Sequence, residues 1–265
     1  MQRTVGLVIP AFRPNPDLLS AYVCDLVDTL EPERLLIELD DPRVETLEAL
    51  EGVPGTVNVS PVRRGKGAAI TAGFNALETD VRAFVDADGA TAVASVAEIV
   101  ARVRDRRTDL AIGSRRHPAA AVRRSQSSGR ERLGDCFAWL ARRVLAVPAS
   151  DFQCGAKAID REAWAAVRSH LQEPGFAWDV ELVALVDALG YDVAEVPVTW
   201  ADGPDSTVSS IGTTLELAGG LLEAHHRARR LRGDPWHERI GRHVPSATPL
   251  LERLETDADR RYNDE

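Results

Sequence analysis

"FVDADGAT", residues 84–91, reads as a buried strand that stops on two carboxylates, Asp86 and Asp88, with only Ala87 between them and Gly89 beyond. Like charges this close raise each other's pKa unless a cation or strong donors stand nearby. In an open α/β sheet, ligands gather beyond the carboxyl ends of the strands, and these two acids sit at such an end. A hard divalent cation, Mg²⁺ or Mn²⁺, accepts one or two carboxylates together with the oxygens of a substrate diphosphate, which would offset the pair. The plainer alternative is a surface turn in which an Asp caps its own backbone.

Outward from this stretch, strand patterns alternate with helical ones. "TVGLVIP" (4–10), "RLLIEL" (34–39), "TVNV" (56–59), "VRAFVD" (81–86) and "DLAIGS" (109–114) read as strands. Residues 15–30 place apolar side chains at helical spacing from Leu18 to Leu30, with Asn15 as N-cap and Pro16 in the first turn. Residues 43–50, 67–77 and 93–105 read as further helices. This order predicts right-handed crossovers and a mostly parallel central sheet with helices on both faces, a three-layer α/β/α arrangement. Beyond 115, helices are expected at about 130–147, after 161, at 179–190 and near 208–232, with strands in 151–160 and 191–200. The 130–147 helix would set Leu133, Phe137, Leu140, Val144 and Val147 on one face. No repeat or linker divides the chain, so 1–232 is expected to be one domain. Its front half, 1–114, would bind a nucleotide and its back half, 115–232, an acceptor. The polar stretch 233–265 is expected to be only partly ordered.

Composition narrows the partners. The net charge is −9, with 41 acids against 32 bases, which argues against nucleic-acid binding. Only two of the bases are lysines, Lys66 and Lys157, and an acidic, lysine-poor surface is consistent with a salt-loving source. The charge is uneven: residues 115–143 hold eight arginines against Glu131 and Asp135. Cys24, Cys136 and Cys154 are odd in number and lack metal-ligand spacing, which fits a reducing compartment. No apolar run is long enough to span a bilayer, and the chain starts on a strand pattern without a cleavable signal, so a cytoplasmic location is expected.

Two more stretches carry chemistry. "RRGKGAA" (63–69) puts Arg63, Arg64 and Lys66 around glycines that open a helix, which suits a diphosphate; read plainly it is a basic turn. "ELDDP" (38–42) ends a strand on Asp40 and Asp41, either acceptors for a base N–H or ribose hydroxyls, or simple helix caps.

Taken in order, "VIPAF" (8–12), "LDD" (39–41), "RRGKGAA", "FVDADGAT", "AIGSRR" (111–116), "DFQCGAKAI", "FAWDVELV" (176–183) and "EVPVTW" (195–200) resemble glycosyltransferase family 2. That family comprises inverting, nucleotide-sugar-dependent enzymes with the GT-A fold. Within it these motifs are most similar to dolichyl-phosphate β-glucosyltransferases and next to polyprenyl-phosphate mannose synthases. The resemblance implies that Pro10, Phe12 and Asp40 or Asp41 line the base pocket, and that Lys66 with Arg64 approaches the ribose and diphosphate. It implies Asp86 at the ribose or metal, Asp88 on the metal, and Gln153 and Gly155 around the sugar. Arg115 is expected to face an acceptor phosphate, and Asp179 stands where the family often carries its base, with helix N-capping as the plainer reading. A peripheral membrane contact through 115–147 is expected, at the inner face of the cell membrane.

The implied reaction moves a hexose, glucose, from UDP-glucose to a polyprenyl or dolichyl phosphate. A hydroxyl acceptor on a glycan or small solute, and a non-catalytic nucleotide-sugar binder, stand as alternatives. Three places depart from the family pattern. "RPNP" (13–16) replaces an acidic residue after the first strand, Ala90 stands where mannose synthases carry a metal-binding Gln, and "ADGPDSTVSS" (201–210) lacks the usual basic residues.

Overall fold

The strand that leads into Asp86 lies between the first strand, parallel to it, and a late strand that runs antiparallel. A computed structural model describes residues 2–123, 138–201, 210–241 and 247–264, with side chains left undescribed at 210–216 and 258–264. The elements of the front half are β1 (Val5–Phe12), α1 (Pro16–Leu30), β2 (Arg34–Asp40), α2 (Val44–Ala49), β3 (Thr56–Ser60), α3 (Lys66–Ala76), β4 (Val81–Val85), α4 (Val93–Arg104) and β5 (Leu110–Ser114). The expected N-cap is present: the Leu18 amide donates to Asn15 Oδ1 at 3.2 Å, with Pro16 opening α1.

The back half begins with a short strand, β6 (Ala121–Arg123), which sequence periodicity did not suggest. Next come a helix over 138–145 (α5), β7 (Ala156–Asp160), α6 (Arg161–Val167), α7 (Trp178–Ala188), β8 (Val193–Pro197), β9 (Thr199–Ala201), α8 (Ser210–Leu231), α9 (Pro235–Gly241) and α10 (Leu250–Asp264). The seven-stranded sheet runs β3-β2-β1-β4-β7-β5-β8. All its pairs are parallel except those of β7, which enters antiparallel between β4 and β5. The expected strand at 191–200 divides at Val198; its last residues form β9, parallel to β6 in a separate two-stranded ribbon.

Alternation along the strands splits the core in two. Leu7, Ile9, Ile37 and Val85 pack on one face with Leu19 and Val23 of α1 and Ile99 of α4. Val8, Leu36, Phe84 and Ile112 pack on the other with Phe74 of α3, Trp164 of α6 and Trp178 of α7. The period of two puts successive side chains on opposite faces, so each fully buried strand feeds both layers.

Two expectations change in the back half. Helix α5 buries Ala138, Ala141 and Leu145, while Leu140 is exposed beside Trp139; Leu133 and Phe137 lie outside the described residues. Val144 and Val147 of the expected face do pack against the core, whereas Trp139 and Leu140 are left outward. The stretch after 233, expected to be only partly ordered, carries α9 and α10 among its described residues; α10 is held where Leu250 and Leu254 dock into the core and the Leu250 amide donates to Leu171 O at 2.7 Å. Asp202 and Asp205 of the departing segment lie outside the described residues.

The sheet order also locates a crevice. From β1 the chain proceeds to β2 and β3 on one side and to β4 on the other, so the carboxyl ends of β1 and β4 flank a topological switch point. Register sets Phe12 beside Asp40 and Asp40 beside Ser60 at that rim.

Candidate active site

A crevice of about 490 Å³ opens at this switch point, walled by Pro10, Phe12, Asp40, Lys66, Asp86 and Asp88 among the expected residues, and by Arg63 and Phe176 opposite. Its floor answers the question raised by the paired carboxylates. The Lys66 ammonium sits 2.9 Å from Asp86 Oδ1 and 3.0 Å from Asp179 Oδ2. The Lys157 ammonium, 1 % exposed, donates to the other Asp179 oxygen at 2.5 Å and to Cys154 O at 2.8 Å. Two ammonium groups and two carboxylates therefore form one chain: Asp86, Lys66, Asp179, Lys157. Burial alone would raise the Asp179 carboxyl, but Lys157 and then Lys66 outweigh it and hold it below the usual carboxylate range. Asp86 is held above that range, chiefly by burial and further by Asp88 and Asp179, with Lys66 pulling the other way.

Asp179 was open to two readings, helix cap or base. It caps nothing, since Ala177 occupies the N-cap of α7 and Asp179 lies in the first turn. It is 2 % exposed and both oxygens accept from lysine. Gly155 lies behind Asp86. It contributes no side chain to a sugar pocket; its carbonyl accepts the Asp86 amide at 2.8 Å, and a Cβ built on it would stand 2.1 Å from Asp86 Oδ2. Gln153 is half-buried in the turn before β7.

The glycines of "RRGKGAA" have a packing role. A Cβ on Gly65 would meet Pro174 O at 2.5 Å, and one on Gly67 would meet Trp178 Cβ at 2.5 Å, so both let the 173–178 segment lie against the start of α3. The Ala68 amide donates to Pro174 O at 3.0 Å, so this first turn of α3 is already partly satisfied by protein. Of this stretch, Arg63 and Lys66 present their cations to the crevice.

Other arginines are engaged. Arg64 does not line the crevice: it pairs with Asp40 Oδ1 at 2.7 Å and Glu38 Oε2 at 2.9 Å. Asp40 Oδ2 also accepts the Arg64 and Gly65 amides at 2.8 and 3.1 Å, which orients the carboxylate at the rim. Arg63 lines the crevice instead, 4.2 Å over the Phe12 ring, with Arg13 on that ring at 5.2 Å. Asp41, at φ 43°, turns from the crevice to Arg13 at 2.8 Å. Arg115 binds Asp151 through two nitrogens, at 2.7 and 2.8 Å, and Asp151 is held down at about 2, Arg115 overcoming the effect of burial. Asp151 is fixed in turn by Glu195, which accepts its amide at 2.9 Å.

The metal reading fits these residues. Asp88 is exposed into the crevice, accepts the Ala90 amide at 3.0 Å, and has no ion-pair partner among the described residues. Two hard carboxylates at the mouth suit Mg²⁺ or Mn²⁺ completed by substrate and water. No group of three or more His, Cys, Asp or Glu able to hold a metal occurs among the described residues, so substrate would have to complete the site.

Sequence reasoning missed Lys157 and the use of Glu181, and it had Arg63 in a basic turn suited to a diphosphate without foreseeing its stacking on Phe12. One signal was available: Lys157 is one of two lysines in an arginine-rich chain. Glu181, fully buried, accepts the Gln172 and Glu173 amides at 3.0 and 2.8 Å and pairs with Arg227 at 2.9 Å, tying α8 to the segment behind α3. Burial pushes its carboxyl up to about 7, with Arg227 opposing.

A model of the family described as glycosyl transferase family 2 matches residues 7–167. The chain is 32% identical over 160 residues to glycosyltransferase AglD of Haloferax volcanii, covering 60% of this chain and 25% of that protein. It is 32% identical over 169 residues to dolichyl-phosphate beta-glucosyltransferase ALG5C of Trichomonas vaginalis (62% of this chain, 49% of the relative). Mouse dolichyl-phosphate beta-glucosyltransferase is 30% identical over 164 residues, with 60% and 51% covered. The chain thus spans a quarter to a half of the length of these relatives. Among solved structures, glucosyl-3-phosphoglycerate synthase from Mycobacterium tuberculosis, in complex with Mn²⁺, UDP and phosphoglyceric acid, superposes with a TM-score of 0.66 at 20% identity, covering 84% of this chain and 78% of that one. Mannosyl-3-phosphoglycerate synthase from Rubrobacter xylanophilus gives 0.66 at 16% identity, with 88% and 76% covered. At such identities the likeness is one of fold, and it matches the GT-A arrangement expected above.

Proposed function

Because this chain belongs to glycosyl transferase family 2, we propose that it moves glucose from UDP-glucose to a polyprenyl or dolichyl phosphate, with inversion at the anomeric carbon. The names of its curated relatives support that donor sugar and acceptor. In this reading Pro10, Phe12 and Arg63 hold the base, Asp40 meets its polar edge or the ribose, and Lys66 meets the diphosphate. Asp86 and Asp88 would hold Mg²⁺ or Mn²⁺, which acts as a Lewis acid on the departing diphosphate.

The observation that carries the acceptor class is the state of Asp179. It is 2 % exposed, does not line the crevice and is held by a lysine on each oxygen, so it is badly placed to take a proton from an acceptor bound there. A sugar or solute hydroxyl needs such help. A phosphate monoester, with a second pKa near ~6, arrives ionised and attacks unaided. Its oxygen forms the bond to the anomeric carbon as the bond to the nucleoside diphosphate breaks, and no proton need be taken. Asp179 then serves to orient Lys66.

One observation favours a second reading, transfer to a hydroxyl. Arg115, expected to receive the acceptor phosphate, is already neutralised by Asp151. The phosphoglycerate synthases of like fold suggest the small acceptors to try. UDP-[¹⁴C]glucose and Mn²⁺ incubated with dolichyl phosphate should yield label in the lipid phase, whereas label only on 3-phosphoglycerate or a glycan would replace the lipid reading. In the same assay Asp88→Ala should lose about 100-fold or more in turnover, the worth of several kcal/mol of Lewis-acid assistance. Undiminished turnover in that variant would remove the metal role.

No helix among the described residues is long and apolar enough to cross a membrane. Trp139, 65 % exposed on α5, together with exposed Arg142 and Arg143, supports a peripheral contact with an anionic cytoplasmic leaflet.

A further inference from the structure

Thirty of the 32 basic residues are arginine, yet both lysines converge on one carboxylate. Lys66 reaches it from α3 and lines the crevice. Lys157 reaches it from β7, is 1 % exposed, and does not line the crevice. It therefore touches no substrate, and its role must act through Asp179.

Without Lys157, a single ammonium would serve two carboxylates. Attraction strengthens as the local dielectric falls, so Lys66 would be drawn to the fully buried Asp179 and away from Asp86 at the crevice mouth. Lys157 occupies Oδ1, and only Oδ2 is left for Lys66. The Phe84 ring confines both ammonium groups, at 5.2 and 5.4 Å from its centroid. A compact ammonium suits this place better than a planar guanidinium, which spreads its donors over a fork.

We infer that Lys157 is a positioning residue: by holding one oxygen of Asp179 it fixes Lys66 between Asp179 and Asp86, aimed at the donor's diphosphate. The diphosphate follows from the proposed function; the fixing of Lys66 does not.

The chain's composition offers a direct test. This 265-residue chain, labelled with ¹³C,¹⁵N-lysine, carries only two side-chain ammonium signals. Both should be visible in the wild type, shielded from exchange with water. In Lys157→Met the remaining Lys66 signal should move and exchange at least about tenfold faster, UDP affinity should fall about tenfold, and affinity for UMP, which lacks the second phosphate, should hold within about twofold. A merely structural role would lower the melting temperature and leave the UDP-to-UMP ratio unmoved. An unaltered Lys66 signal and ratio in Lys157→Met overturn the inference. Should that variant fail to fold, Lys157→Arg decides, since it keeps the charge and loses the geometry: a displaced Lys66 signal supports the inference, and a wild-type signal and ratio overturn it. Wild-type protein that transfers no sugar while Lys66 responds to Lys157→Met counts against the glucosyltransferase reading alone.

Discussion

Gly155→Ala should reduce turnover about 100-fold or more while leaving a folded protein. An alanine methyl there would overlap the Asp86 carboxylate, with its Cβ 2.1 Å from Oδ2, 2.4 Å from Cγ and 3.0 Å from the Asp86 Cβ. Strand pairing holds the backbones on both sides, Val85 opposite Ala156 and the Asp86 amide on Gly155 O, so the side chain must swing instead. The swing breaks the 2.9 Å contact with Lys66 and moves one of the two carboxylates proposed to hold the metal. Overpacking of this kind costs about 1–3 kcal/mol, a fall of several degrees in melting temperature, whereas the misplaced group costs far more in rate. Gly219→Ala is the matched control: nothing lies within 4 Å of a Cβ there, and an alanine inside α8 should stabilise by up to ~1 kcal/mol. Wild-type turnover in Gly155→Ala would show that catalysis does not need Asp86 where it stands.

The second large effect is expected at Asp179. Asp179→Asn leaves two ammonium groups facing a neutral amide whose single acceptor oxygen can serve only one of them. Removing one member of a buried ion pair costs about 3–5 kcal/mol, here on the order of 10 °C in melting temperature. The sign with pH follows from the depressed folded-state value of the carboxyl. Its contribution is complete above the unfolded value of ~4 and is lost as pH falls through the lower folded one. The gap in stability between wild type and variant should therefore be flat near neutrality and close on acidification, which thermal unfolding followed across pH will read. A gap that instead widens on acidification would mean the carboxyl is protonated in the folded state and is no anchor for the two lysines. Turnover should also fall about 100-fold, because Lys66 loses its anchor.

How far the site was legible depended on whether its residues interact along the chain or across it. Asp40, Asp86 and Asp88 were singled out because each ends or follows an apolar run, and the end of a strand is a local pattern; Phe12, beside Asp40 at the same rim, came from the family resemblance. Arg64 and Arg115 were expected at phosphates, and the sequence shows a basic residue but not the acid it meets. Glu38 and Asp40 claim one, and Asp151 the other. Gly155 read as part of a sugar pocket, and its actual service to Asp86 exists only because β7 lies against β4. Leu140 shows the same limit in a helix: its spacing matched a buried face, but the small residues Ala138 and Ala141 took that face.

The linear chain determined the layers of this protein: hydrophobic period alone separates strands from helices, and their alternation dictates a mostly parallel sheet with a crevice at its carboxyl rim. Which charges meet was decided only in three dimensions. Asp86, Lys66, Asp179 and Lys157 come from the end of β4, α3, α7 and β7. Pairing them needed β7 to turn back between β4 and β5. Burial patterns repeat within a few residues and can be read locally; the partner of a buried charge is whichever group the packed elements deliver within hydrogen-bond reach.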